Sequence, residues 1–258
     1  MNRIDELFRQ KVRGILSVYF TAGYPNLEDT VRILRALQRN GVDLVEIGIP
    51  FSDPLADGEI LQMSNQQALS NGMTLQLLFK QLENIREEIH MPLILMGYLN
   101  PVLRFGVERF CNKAAVTGID GIILPDLPLE IYNQEFKDFF QKSGLYNIFL
   151  ITPETSEERI RTVDRDGNGF IYMVSASATT GSKNTFGKVQ IKYFKKIRDM
   201  NLRLPGLVGF GISSNESFSL ACRYARGAIV GSSFVRAISE GRKLEKTIRE
   251  FISLIRAV

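Results

Sequence analysis

Val42-Asp-Leu-Val-Glu-Ile-Gly-Ile-Pro-Phe-Ser-Asp-Pro-Leu-Ala-Asp-Gly58 begins as a short apolar run and breaks into a loop stiffened by Pro50 and Pro54. Residues 44–49 read as a β-strand. Side chains alternate along a strand, so Leu44, Glu46 and Gly48 share one face and Val45, Ile47 and Ile49 the other. Similar apolar, β-branched runs recur in both directions, at 16–21, 93–96, 121–124, 147–151, 170–174, 206–209 and 227–230, making eight candidate strands. Helical spacing fills the intervals at 27–39, 74–89, 104–115, 130–142, 156–163, 189–200, 215–224 and 243–255. Near-continuous apolar strands alternating with helices imply a parallel sheet covered by helices, and right-handed crossovers allow it to close. Element order alone leaves both an open sheet and a barrel possible. An extra helix at 2–10 precedes the first strand and is placed to cover the barrel bottom.

The 258 residues suit one barrel, since α/β barrels of about 250 residues form a single domain, and no linker or break in composition divides 1–258. Apolar residues at 45% and charged residues at 23% supply a core and argue against disorder. The net charge of +4, from 32 basic and 28 acidic residues, is spread without a dense basic block, which disfavours nucleic acid as partner. The basic cluster 192–198 carries Tyr193, Phe194 and Ile197 at helical spacing and reads as a solvated helix face.

Cys111 and Cys222 are too few for a disulfide framework, and the start of the chain lacks an apolar signal segment; a cytoplasmic location is expected. The one histidine, His90, precedes a strand and so lies at the end of the barrel away from its chemistry. A metal site built on several histidines, a Ser-His-Asp triad and a Glu/His isomerase pair are thereby disfavoured.

Glu46, if it faces the barrel interior, is a carboxyl in an apolar chamber below the space opened by Gly48. Such a group needs a donor or a raised pKa, and fits either an acid/base or a paired structural residue. Asp53 and Asp57 lie in the loop after the second strand, at the C-terminal face where barrel active sites form. Asp57 is equally placed to cap a helix beginning near Glu59. Three late glycine-bearing loops, 177–181, 209–214 and 231–234, follow candidate strands six to eight, and a short helix beginning near Ser232 offers amide groups to a phosphate.

On these residues the chain resembles the tryptophan synthase α subunit family. Glu46-Ile-Gly-Ile-Pro-Phe-Ser-Asp-Pro-Leu-Ala-Asp-Gly58 is that family's signature, and Tyr19-Phe-Thr-Ala-Gly-Tyr-Pro25, Met96-Gly-Tyr-Leu-Asn-Pro101, Leu124-Pro-Asp-Leu-Pro128, Thr180-Gly181 and Gly209-Phe-Gly-Ile-Ser213 extend the likeness along the chain. The resemblance implies a single (β/α)8 TIM barrel and the reversible retro-aldol cleavage of indole-3-glycerol phosphate to indole and glyceraldehyde 3-phosphate. It implies Glu46 as acid/base, Asp57 as acceptor of the ring N–H, and Tyr172 as the residue orienting Glu46. Gly181, Gly211, Gly231 and Ser232 are implied for the phosphate, and Tyr19, Leu61, Leu95, Leu124 and Phe210 for the indole pocket.

The resemblance further implies an αββα complex that passes indole to a pyridoxal phosphate site on the β subunit, with no cofactor or metal in this chain. Glu59, where many relatives have proline, and Ala176, where arginine is common, depart from the family pattern and bear on loop closure. A free-standing lyase and a non-catalytic regulatory barrel are the competing functions. The lysines that indole-3-glycerol phosphate synthase would place at strand ends do not occur in the candidate strands.

Overall fold

The computed structural model describes residues 1–55, 57–175, 186–240 and 243–256. The strands are β1 (Ile15–Thr21), β2 (Leu44–Gly48), β3 (Leu93–Met96), β4 (Gly121–Ile123), β5 (Tyr146–Asn147), β6 (Phe149–Ile151), β7 (Ile171–Val174), β8 (Gly206–Gly209) and β9 (Gly227–Val230). All pairings are parallel, in the order β5-β4-β3-β2-β1-β9-β8-β7-β6. The two outermost segments, β5 and β6, are separated only by Ile148, whose N–H donates to the Ile122 carbonyl at 2.9 Å. They are one broken stave, pairing first with β4 and then with β7, so eight staves close the ring.

Closure creates two apolar layers. Ile15, Leu44, Ile94, Ile123, Ile148, Phe170, Tyr172, Leu207 and Ile229 pack inside the barrel. Leu16, Val18, Val45, Ile47, Leu93, Leu95, Ile122 and Val208 pack outward with helix residues such as Leu34, Leu78 and Phe110. This division is the period-two alternation of a strand buried on both faces.

The helix Arg3–Gln10 closes the bottom. Asn2 caps it by accepting from the Ile4 N–H at 2.9 Å, and Ile4, with no exposed surface, enters the inner layer with Leu7 and Phe8. Burying a side chain such as Ile4 contributes about 2 kcal/mol. Tyr193, Phe194 and Ile197 are the buried face of the helix Lys188–Asp199, with its lysines outside, as the spacing indicates.

Several helices differ from the sequence pattern. The continuous helix expected over 104–115 is two, Leu99–Phe105 and Val107–Val116, because Gly106 takes φ +90° between them. The stretch 74–89 forms Leu75–Gln81 and a 3-10 turn, Ile85–Glu87, separated by Asn84 at φ 59°. The helix Glu59–Ser70 follows β2 after residues 49–58, and Ser232–Glu240 follows β9 after Gly231 alone. His90 is exposed at the bottom, where its backbone N–H donates to Gln38 at 2.7 Å.

Candidate active site

Strand alternation turns Ser17, Tyr19 and Thr21 of β1 and Leu44, Glu46 and Gly48 of β2 into the barrel, and the register pairs Tyr19 with Glu46. Glu46 is completely buried. Its Oε1 accepts from the Ser17 hydroxyl at 3.0 Å, while Oε2 has no partner among the described residues. Burial pushes the carboxyl up to about 8, opposed by the Ser17 hydrogen bond, which favours the anion. At neutral pH this group is largely protonated.

Two tyrosines occupy the same chamber, each beside a glycine that makes room for it. A Cβ at Gly48 would fall 2.2 Å from the Tyr19 hydroxyl oxygen, and one at Gly209 would fall 2.2 Å from the Tyr172 ring. Burial, with nearby Glu46 and Asp57, raises both phenols above their ordinary range, so both remain hydroxyls at neutral pH. Glu46 accepts from Ser17 and not from Tyr172 here; Tyr172 is an electrostatic neighbour of the acid.

Asp57 lies at the start of the helix Glu59–Ser70, but Gly58 is the cap residue and no side chain caps the helix. The capping alternative for Asp57 therefore falls. Its Oδ2 faces the Asn65 amide at 3.4 Å, and that amide is anchored by donating to the Leu61 carbonyl at 2.8 Å and by accepting from the Phe51 N–H at 3.0 Å. Partial burial raises the Asp57 carboxyl to about 6, leaving it mostly ionised at pH 7. The two carboxyls thus hold different protonation states in one region. Asp53, by contrast, is exposed and accepts from the adjacent Ser52 hydroxyl at 2.5 Å.

Of the expected indole-pocket residues, Tyr19 and Leu61 come together with Val235, and Ile60 and Met96 pack beside them. Phe210 takes φ 67° and stands edge-on to Tyr172, with ring centroids 6.3 Å apart. Leu95 and Leu124 require correction: both pack in the outer layer against helices. An apolar residue near a strand end enters the barrel only with the right parity, and here Met96 and Ile123 have it. The register sets this parity: Ile94 lies beside Glu46 and Met96 beside Gly48, which leaves Leu95, beside Ile47, on the opposite face.

Gly211, at φ 74°, follows Phe210, whose carbonyl accepts from Ser175 at 2.8 Å. Gly231 lies over Tyr19, and Ser232 begins the helix Ser232–Glu240. The Ser233 hydroxyl donates to the Ile212 carbonyl at 2.9 Å, tying the loops after β8 and β9 together. Gly181 and Ala176 lie outside the described residues. Ser17 and Asn65 lie outside the quoted motifs, and Met96, which opens one of them, carried no assigned role there. Among the described residues there is no group of three or more histidine, cysteine or acidic side chains able to hold a metal.

Fold and chamber together define a (β/α)8-barrel enzyme with its polar centre at the C-terminal ends of the strands. The chain matches the family model described as tryptophan synthase alpha chain over residues 6–257. It is 57% identical to the tryptophan synthase alpha chain of Flavobacterium johnsoniae, covering 99% of this chain and 100% of the relative. Identity to that of Bacteroides thetaiotaomicron is 52%, over 96% and 97%. The crystal structure of tryptophan synthase subunit alpha from Legionella pneumophila superposes with a TM-score of 0.89 at 34% identity, covering 99% of this chain and 97% of that one. A structure of tryptophan synthase from M. tuberculosis in its aminoacrylate-bound form gives 0.86 at 28% identity, over 99% and 100%.

This chain belongs to the tryptophan synthase alpha chain family. The family's reaction is the reversible cleavage of indole-3-glycerol phosphate to indole and glyceraldehyde 3-phosphate in tryptophan biosynthesis. The indole passes to a β subunit, which carries the pyridoxal phosphate, within an αββα heterotetramer.

Proposed function

We propose that this chain acts as a carbon–carbon lyase in which Glu46 and Asp57 divide the proton chemistry. Neutral Glu46 gives its proton to C3 of the indole ring, and the resulting carboxylate takes the proton of the glycerol hydroxyl next to the ring. As that hydroxyl becomes an aldehyde, the carbon–carbon bond breaks and its electrons return to the indole. Glu46 ends protonated, as it began. Asp57, ionised, accepts from the ring N–H and stabilises the positive charge that C3 protonation places on that nitrogen.

The observation that carries this reading is the split between the two carboxyls, one raised to about 8 and the other to about 6. Paired acids pushed apart by their environments have separate roles. Tyr172 and Tyr19 wall the chamber with Leu61 and Phe210, while Gly211, Gly231 and Ser232, with Gly181, receive the phosphate through backbone amides. The chain needs no cofactor or metal of its own for these steps.

The single-domain reading of residues 1–258 and a cytoplasmic location belong to the same proposal. No helix among the described residues is long and apolar enough to cross a membrane.

Indole release from indole-3-glycerol phosphate, measured with and without the β subunit, tests the assignment. Slow release by the chain alone with strong acceleration by the partner is expected; fast release alone indicates a free-standing lyase, and none under either condition indicates a binding-only barrel.

A further inference from the structure

We propose that Ser17 is a positioning residue that holds one carboxyl oxygen of Glu46 and so dedicates the other to proton transfer. The inference rests on Glu46 being the acid/base.

Ser17 is completely buried, two residues before Tyr19 on β1 and therefore one interior position nearer the barrel bottom. Its neighbours in the inner layer include Ile15 and Leu44. A hydroxyl in such surroundings is costly unless it is hydrogen-bonded, and an alanine would satisfy the packing without that cost. The Ser17 hydroxyl donates to Glu46 Oε1 at 3.0 Å.

The terminal torsion of a glutamate is soft, so a carboxyl held only by apolar walls presents either oxygen to a substrate. Ser17 removes this freedom. The oxygen that accepts from Ser17 cannot readily carry the acidic proton toward the same donor, so the proton resides on Oε2, the buried oxygen without a partner. After transfer, the same donated bond stabilises the carboxylate that must take the hydroxyl proton.

Among the described residues no other neighbour donates a hydrogen bond to Glu46. The ionisable groups near the chamber are Tyr19, Tyr172, Asp57 and, beside Tyr19, Tyr98. The remaining staves face it with Ile94, Met96, Ile123, Leu150, Leu207 and Ile229. Thr21 is engaged elsewhere, at 2.7 Å from the Ser64 hydroxyl.

The test uses the α chain assembled with its β subunit, comparing Ser17→Ala and Ser17→Thr by steady-state indole formation across pH and by thermal unfolding. For Ser17→Ala, kcat is expected to fall about tenfold with KM changed by less than roughly twofold. Loss of a donor to the anion moves the alkaline limb of kcat up by about half to one pH unit. Ser17→Thr, which retains the hydroxyl, restores both. Should the alanine chain fold poorly, Ser17→Cys, similar in shape and a weak donor, is expected to give the same upward displacement.

Unchanged kcat and limb, with only the unfolding temperature altered, would overturn the inference and leave Ser17 a packing residue. Near-normal turnover by Glu46→Gln would instead remove the reading beneath it. An inactive Glu46→Gln beside a wild-type-like Ser17→Ala removes the Ser17 inference alone.

Discussion

At the N-terminal end of the barrel, the buried carboxylate of Asp120 accepts from Arg86 at 2.5 Å, from Arg3 at 3.0 Å and from the Leu93 N–H at 2.8 Å. Asp43 nearby receives Lys11 at 2.7 Å and Arg256 at 2.6 Å, joining both chain ends to the second stave. At the C-terminal end, Glu46 has one hydroxyl, and Asp57 one long contact with an amide. Neither has a cationic partner among the described residues. The same chemical group is saturated where it holds the fold and left under-satisfied where it is to exchange protons. Cationic partners tie a carboxylate in place, whereas burial without such a partner keeps the proton of Glu46 available near neutral pH.

The largest effect that could break this contrast is on turnover. Glu46→Gln keeps the shape of the side chain but removes the exchangeable proton, and is expected to reduce cleavage by at least about a thousandfold while the phosphate ligand still binds. Near-normal turnover, measured by indole formation, would mean that the under-satisfied end is not the chemical one.

At the saturated end, Asp120→Ala leaves Arg86 and Arg3 without their acid and the Leu93 N–H without its acceptor. A loss of about 3–5 kcal/mol in unfolding free energy is expected, with kcat little changed in the folded fraction. Denaturant titration and active-site-normalised kinetics separate these two quantities. A fall in kcat as large as that of Glu46→Gln would erase the distinction between the two ends.

Asp57→Asn is expected to lower kcat about a hundredfold. It should also remove the acidic limb near pH 6 from the rate profile while leaving an alkaline limb near pH 8, since Asp57 must be ionised and Glu46 protonated for the forward reaction. If the acidic limb persists unchanged, its origin is another group.

The smallest effect concerns stability. The folded-state pKa of Glu46 lies above the ordinary value of 4.5, so the folded chain binds more protons than the unfolded chain between about 4.5 and about 8. Stability contributed by this position therefore declines as pH rises through that window and stays low above it. Glu46→Gln has no such penalty, and its unfolding free energy relative to wild type is expected to rise by about 2 kcal/mol or more from pH 5 to pH 9. A pH-independent difference would show that Glu46 is compensated in the native state.

Much of the architecture was legible because it depends on local periodicity. The eight strand segments lie within a residue or two of their expected positions, and Asn2 and Ile4 explain why the first helix caps and then plugs the barrel. The breaks at Asn84 and Gly106 were harder to place, because left-handed or positive-φ backbone interrupts stretches whose apolar spacing looks continuous. The broken fifth stave also escaped the one-dimensional pattern; its halves pair with different neighbours only once the sheet closes.

By itself, the sequence determined the alternation that makes a parallel barrel, the inward phase open to Glu46 and the family signature around it, since these reside in neighbouring residues and fixed chain geometry. Tertiary structure alone decided that Leu95 and Leu124 face the helices, that Asp57 does not cap its helix, and that Glu46 is held by Ser17. Each of these depends on which side chains meet across the closed barrel. Hydrogen bonding and desolvation act through space, between residues whose separation along the chain carries no record of their contact.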